Sequence, residues 1–156
     1  MMTIQVDSRE KPRAIGKIIQ YFDAHQIQHF VSKLPVGDYM SLDNPRLVID
    51  RKANLLELCS NVGQQHARFS SELILASNLG IKIIILCEHG PLISCLEDIR
   101  EWANPRLRIS PKAITGERLY KILHTMSVRH NVGFEFCDKR STGRRIVEIL
   151  GGDAHD

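Results

Sequence analysis

The chain alternates short runs rich in β-branched residues with longer stretches in which apolar residues recur every three or four positions. Residues 3–7 put Ile4 and Val6 on one face and Thr3, Gln5 and Asp7 on the other, the period-two pattern of a strand, with Asp7 on its polar side. Ile15, Ile18, Ile19 and Phe22 recur at helical spacing, predicting a helix over 13–25 with Pro12 as its start signal. A second strand is expected over 27–34, followed by a Pro35-Val36-Gly37 bend into Asp38. Gly37 either serves a backbone shape or close approach that a side chain would obstruct, or is an ordinary loop glycine.

Leu47-Val48-Ile49 runs straight into Asp50-Arg51-Lys52 after a polar turn at Asp43-Asn44-Pro45, so a hairpin is expected. Helices follow over 55–62 and 64–78, the second with Phe69, Leu73 and Ala76 on one stripe and Gly80 as its stop. The run over 81–87, broken only by Lys82, suits a strand buried on both faces. Beyond it the pattern weakens: 94–102 reads as helix and 104–112 as a basic loop punctuated by proline. A helix over 115–130 with Thr115 as N-cap, a strand over 133–138 and a last helix over 141–150 complete the series. Strands alternating with helices predict an α/β fold, a mixed central sheet flanked by helices.

Composition narrows the class without naming a partner. With 156 residues, 43% of them hydrophobic, the chain fits one compact domain over 1–152 with a short tail at 153–156. Its 21 Lys and Arg against 18 Asp and Glu give a net charge of +3, which permits a nucleic-acid partner without requiring one. Cys59, Cys87, Cys95 and Cys137 form no C-x-x-C pair, so reduced core thiols are expected rather than a zinc site or disulfides. The seven His residues show no metal-ligand spacing. No apolar run is long enough to span a bilayer, and a soluble intracellular protein is expected.

The residues that carry chemistry lie at the end of the hairpin. Side chains two apart on a strand share a face, so Asp50 and Lys52 point one way and Arg51 the other. If Asp38 shares the face of Asp50, opposed positions in the hairpin sum to an even number and Asp38 faces Asp50 or Lys52, not Arg51. Two converging carboxylates can hold a hard divalent cation, and a nearby ammonium can steady a developing anion, which is the chemistry of metal-dependent phosphodiester cleavage. Read alone, Asp-x-Lys is common by chance. Arg68 and Glu72, four apart, make either a surface ion pair or, for Arg68, a phosphate contact or brace for the acids. Arg106, Arg108 and Lys112 either grip phosphates, with Trp102 as a stacking platform, or belong to a solvated loop with a partly buried Trp.

Taken together, Val6-Asp7-Ser8-Arg9-Glu10, Gly37-Asp38-Tyr39, Asp50-Arg51-Lys52 and Gln65-x-x-Arg68-Phe69-x-x-Glu72 resemble, in order and spacing, the nuclease domain of the XPF family. These are structure-selective DNA endonucleases with a restriction-endonuclease-like core, and the resemblance runs from residue 3 to about residue 151. It implies that Asp7, Asp38 and Asp50 bind Mg²⁺ or Mn²⁺, that Lys52 is the catalytic lysine, and that Arg9 and Arg51 are the motif arginines. Their guanidinium groups stay protonated, so they orient phosphate or lock carboxylates rather than move protons. The implied substrate is branched, flap or junction DNA. Two departures stand out: Asp50 replaces the usual Glu, and Leu56 occupies the place of a further Asp, with Glu57 beside it as a substitute acid.

A rival reading is a catalytically silent scaffold that binds DNA or an active partner; Leu56 supports it, and the retained acids and Lys52 oppose it. Because family nuclease domains pair and usually precede a helical DNA-binding module, the resemblance also implies a homodimer, with the helices from Thr115 and Ser141 onward as the interface. A partner protein that supplies DNA binding is the other arrangement it allows.

Overall fold

A computed structural model describes residues 2–151; the tail expected at 153–156 lies outside them. A six-stranded sheet runs in the order β2-β1-β3-β4-β5-β6, with β1 Thr3–Val6, β2 Gln28–Val31, β3 Tyr39–Ser41, β4 Leu47–Lys52, β5 Lys82–Cys87 and β6 Gly133–Phe136. The β1–β2, β4–β5 and β5–β6 pairs are parallel, while β3 is antiparallel to both neighbours. The mixed α/β sheet expected from the alternation of patterns is therefore present.

Five α-helices cover the sheet: α1 Gly16–Ala24, α2 Leu55–Val62, α3 His66–Asn78, α4 Gly116–His130 and α5 Thr142–Gly151. On one face, Ile4, Val6, Tyr39, Ile49 and Leu86 meet Ile18 and Phe22 of α1 and Ile146 and Leu150 of α5. On the other, Val48, Ile83, Ile85 and Cys87 meet Leu58 of α2, Phe69 and Leu73 of α3, and Leu119 and Leu123 of α4. Alternate residues of β4 and β5 enter opposite cores, as a strand buried on both sides requires. Burying a side chain such as Leu or Phe contributes roughly 1.5–3 kcal/mol, so both layers hold β4 in place.

Local differences from the sequence expectations have local causes. The first helix begins at Gly16, not at 13, because residues 11–14 close a turn with the Ala14 N–H donating to the Lys11 carbonyl at 2.9 Å. Proline fits the second position of such a turn, so Pro12 marks a bend before the helix. The strand expected over 27–34 ends at Val31, and the Leu34 N–H is taken by the Asp7 side chain at 2.8 Å. The helix expected over 94–102 is a 3₁₀ helix, Leu96–Glu101, and the loop over 104–112 contains another, Pro105–Arg108. Buried Asn104 sets up the latter: its side chain accepts from Arg106 N–H and donates to the Ile114 carbonyl.

Thr115 caps α4 as expected, accepting from the Arg118 N–H. Cys87 and Cys137 are buried thiols and Cys59 is half-buried; Cys95 is exposed, so it is not a core thiol. Among the described residues no helix is long and apolar enough to cross a membrane.

Candidate active site

The crossing of β3 and β4 is fixed by their register, Tyr39 opposite Ile49 and Met40 opposite Val48. The opposed positions of this register sum to an even number, and Asp38, just before β3, brings its carboxylate against that of Asp50. The Asp38 N–H donates to the Ile49 carbonyl at 2.7 Å, and its carboxylate accepts the Arg51 N–H at 2.8 Å. Gly37 makes the approach possible. Its φ of +76° lies in the left-handed region, and a Cβ there would stand 2.8 Å from Val48 Cγ2.

Asp50 and Lys52 turn toward α2 and α3 and open into a cleft of about 370 Å³. Lys52 Nζ lies 3.5 Å from Asp50 and 3.9 Å from Glu57, and sits 5.6 Å from the centre of the Phe69 ring. Burial alone would lower this ammonium's pKa, but Asp50, Glu57 and Glu72 outweigh it and hold Lys52 above its ordinary value. Lys52 therefore stays charged. Asp38 lies well above the usual carboxylate range, first through burial and then through the charges of Asp50 and Glu10. Glu72 is pushed up to about 7 by burial and by Asp50, within hydrogen-bonding reach. Asp38, Asp50 and Glu72 thus run as a chain of acids through Asp50, and among the described residues no three His, Cys, Asp or Glu side chains already converge as a metal cluster.

Arg51, one residue away, lies on the opposite face of the strand, although it and Glu10 still border the same cleft. Its guanidinium donates to Glu10 at 2.8 and 3.1 Å and to Glu88 at 2.7 Å. The Tyr39 hydroxyl donates to Glu10 at 2.7 Å, and Thr142 of α5 donates to Glu88 at 2.5 Å. All three ion-pair side chains are nearly buried, with exposures of 10% for Arg51, 9% for Glu10 and 2% for Glu88. Arg51 thus locks carboxylates, one of the two roles expected for it, and its main-chain N–H carries that rigidity to Asp38.

Asp7 is held apart from the chain of acids. Both of its oxygens accept from Arg9, at 2.7 and 3.2 Å, and one also takes the Leu34 N–H. Burial would raise Asp7, but these donors, with the Arg9 charge, bring it below the ordinary carboxylate value. Arg68 is exposed and lines the cleft, whereas Glu72 turns inward to Asp50, so the surface pair is not what Glu72 makes. Arg106, Arg108 and Lys112 are exposed but do not line this cleft. Trp102 packs against the core beneath α4 and meets the His89 ring edge-on at 5.9 Å.

Reading the sequence missed Glu10 and Glu88 as partners of Arg51, Tyr39 and Thr142 as the hydroxyls that donate to those two acids, and Asn61 in the cleft wall. Asn61 is 7% exposed, and its Oδ1 is buried without a hydrogen-bond partner. The one available signal was positional: Glu88 is the first charge after the apolar run of β5, as Asp50 is after that of β4. The donor set of the cleft is all oxygen, from carboxylates and an amide, which suits a hard cation such as Mg²⁺ or Mn²⁺ and not a thiolate- or imidazole-seeking metal. Acids crowded against one another and short of donors fit the same conclusion.

Comparison with known proteins adds three findings. Residues 6–148 match the model of the ERCC4 domain. No curated protein matches the chain. Among solved structures, XPF from Aeropyrum pernix is similar with a TM-score of 0.64 and 18% identity over 99% of this chain and 62% of that one. XPF from Aeropyrum pernix in complex with DNA gives 0.67 and 17%, over 99% of this chain and 66% of that one. The chain therefore spans less than two thirds of the length of the proteins whose fold it shares.

Proposed function

The chain belongs to the ERCC4 domain family, and on that premise we propose that it is a divalent-cation-dependent endonuclease that hydrolyses phosphodiester bonds in branched, flap or junction DNA. The observation that carries the reading is the Asp38 carboxylate brought against that of Asp50 where β3 begins beside β4, with the charged Lys52 beside them in one cleft. We assign residues 1–152 as a single nuclease domain.

Asp38 and Asp50 would hold Mg²⁺ or Mn²⁺, with Asp7 closing the far wall of the cleft and set in place by Arg9. Such a cation supplies Lewis acidity, easing deprotonation of an attacking water and offsetting charge on the transition state. Lys52 presents an ammonium that remains protonated and stabilises negative charge as it grows on the phosphate oxygens. Arg68, exposed at the rim, binds a phosphate of the substrate strand, and Arg106, Arg108 and Lys112 offer further phosphate contacts outside the cleft. Arg51 does not touch substrate in this scheme. It fixes Asp38 through its N–H and holds the underside of the site rigid.

The scaffold reading draws on Leu56, which stands where the family has an acid. Incubating the protein with labelled flap, fork, four-way-junction and linear DNAs, with and without Mg²⁺, separates the two: a nuclease cuts at least one branched substrate only with the cation. A scaffold binds DNA and cuts none at any protein concentration. We also propose that the chain pairs with a second copy through α4 and α5, where Val128 is an apolar side chain 72% exposed; a partner protein that supplies DNA binding is the alternative arrangement. A monomer mass in light scattering that does not change with concentration would exclude the homodimer.

A further inference from the structure

Helix α3 serves two depressions, and only one of them is the cleft. Arg68, Phe69 and Glu72 line the cleft, whereas His66, Ser70 and Leu73, interleaved with them on the same turns, line a separate groove against α4. Its volume is about 360 Å³. The α4 wall is two rows with a four-residue step, Ile122, Met126 and His130 in one and Lys121, Thr125 and Arg129 in the other.

The floor of this groove is apolar, with Leu73 buried and Ile122 and Met126 half-buried, and its rim is exposed and basic: Lys121, Arg129 and two imidazoles, His66 and His130. No Asp or Glu lines it. Lys121 lies 3.8 Å from Glu117 one turn back, an exposed pair of little strength. Among the described residues Arg129, His66 and His130 form no ion pair at all. The whole chain is nearly balanced, 21 Lys and Arg against 18 Asp and Glu, so a rim of one sign is a local feature. Cations above an apolar floor suit a single nucleic-acid strand, whose phosphates stay at the rim while the base faces lie on the floor. The Ser70 and Thr125 hydroxyls add neutral donors for phosphate oxygens. An acidic helix from another protein matches the charge as well, but the groove shares α3 with the cleft. His66 on its rim and Arg68 in the cleft are two positions apart, so one strand can pass from one to the other.

We propose that the groove between α3 and α4 is a track for single-stranded DNA, the unpaired arm of a branched substrate whose junction lies at the cleft, with Lys121 and Arg129 on phosphates and Ile122 and Met126 beneath bases. This rests on the reading of the chain as a DNA-cutting domain, and it adds a feature that distinguishes branched from linear DNA.

The test measures binding by fluorescence anisotropy without divalent cation, so that nothing is cut. It uses the full chain and two labelled DNAs, a blunt duplex and the same duplex ending in an unpaired oligo-dT arm. Wild type should bind the armed duplex about tenfold or more tightly than the blunt one. Lys121→Glu combined with Arg129→Glu should remove most of that advantage. The milder pair Lys121→Ala and Arg129→Ala, at the same exposed positions, should lower the slope of log affinity against log salt for the armed DNA by about 0.7 for each cation removed. Met126→Ala, which leaves every charge in place, should weaken the armed DNA several-fold and the blunt duplex clearly less. Equal losses on both DNAs would reveal ordinary surface charge and overturn the track. A wild type that gains nothing from the arm overturns it too, and if that protein still cuts branched DNA with Mg²⁺, the nuclease reading stands without the groove. Binding of a Glu-rich amphipathic peptide that the Lys121→Glu and Arg129→Glu pair abolishes, with no gain from the arm, assigns the groove to a protein partner instead. If the wild type neither binds nor cuts any DNA, the nuclease reading fails and the proposal falls with it.

Discussion

Two regions lie back to back on β4, separated by a single peptide step. On the α1 and α5 side, Arg51 meets Glu10 and Glu88, and the Tyr39 and Thr142 hydroxyls supply the donors that the guanidinium cannot. On the α2 and α3 side, Asp50 meets Asp38, Glu72 and one ammonium, Lys52. Both regions are largely buried and rich in carboxylates. They differ in donors: every acid on the Arg51 side is supplied, while the acids on the Asp50 side lean on one another. Buried groups that are fully hydrogen-bonded make a rigid structure, whereas a donor-poor cluster persists only if its surroundings hold it and something else can satisfy it.

That contrast can be broken most severely on the cleft side. Asp50→Asn keeps the shape but removes the charge, and Mg²⁺-dependent cleavage should drop on the order of a hundredfold or more while the circular-dichroism spectrum is retained. Lys52→Ala should lose cleavage similarly and weaken DNA binding slightly, because a cation facing phosphates has gone. On the other side, Arg51→Met leaves Glu10 and Glu88 buried without their cation, and breaking such a pair typically costs about 3–5 kcal/mol. Denaturant unfolding should show that loss, and any fall in cleavage should follow the fall in folded protein.

A smaller effect sharpens the comparison through pH. Glu72 rises from 4.5 to about 7 on folding, so between those values the native state holds a proton that the unfolded state has released. Stability contributed by that proton is present at the acidic end and is lost as pH rises through about 7. The melting temperature of cation-free wild type, relative to Glu72→Gln, should therefore decline across this window. A difference that stays flat contradicts the crowding. The smallest effect is at the rim: Arg68→Ala should weaken binding to branched DNA several-fold and lower the slope of log affinity against log salt by about one.

The chain disclosed its cleft more readily than its support. Asp50 and Lys52 were legible because a buried strand ending in alternating charges fixes which side chains share a face. The face that Asp38 shares with Asp50 followed from parity, whereas Gly37 read equally as an ordinary loop glycine, since only the fold brings Val48 against it. Arg51's partners were not legible: Glu10 and Glu88 are 41 and 37 positions away, and only the order of strands brings them together. The direction of Glu72 was left open between a surface pair with Arg68 and the other roles of that arginine, because helical spacing says which residues are neighbours, not which way a carboxylate turns once a sheet lies beneath it. Asn104 looked like part of a loop for a similar reason, since its buried bond to Ile114 spans ten residues.

The most direct test of the donor-poor face is thermal melting of Asp50→Asn beside wild type at neutral pH, each with and without Mn²⁺. Without metal the variant should melt above wild type, because a like charge has been removed; Mn²⁺ should raise the melting temperature of wild type and leave the variant unmoved. A variant that melts lower and gains as much from Mn²⁺ as the wild type would show that Asp50 is a structural partner of Lys52 and that the cation binds elsewhere.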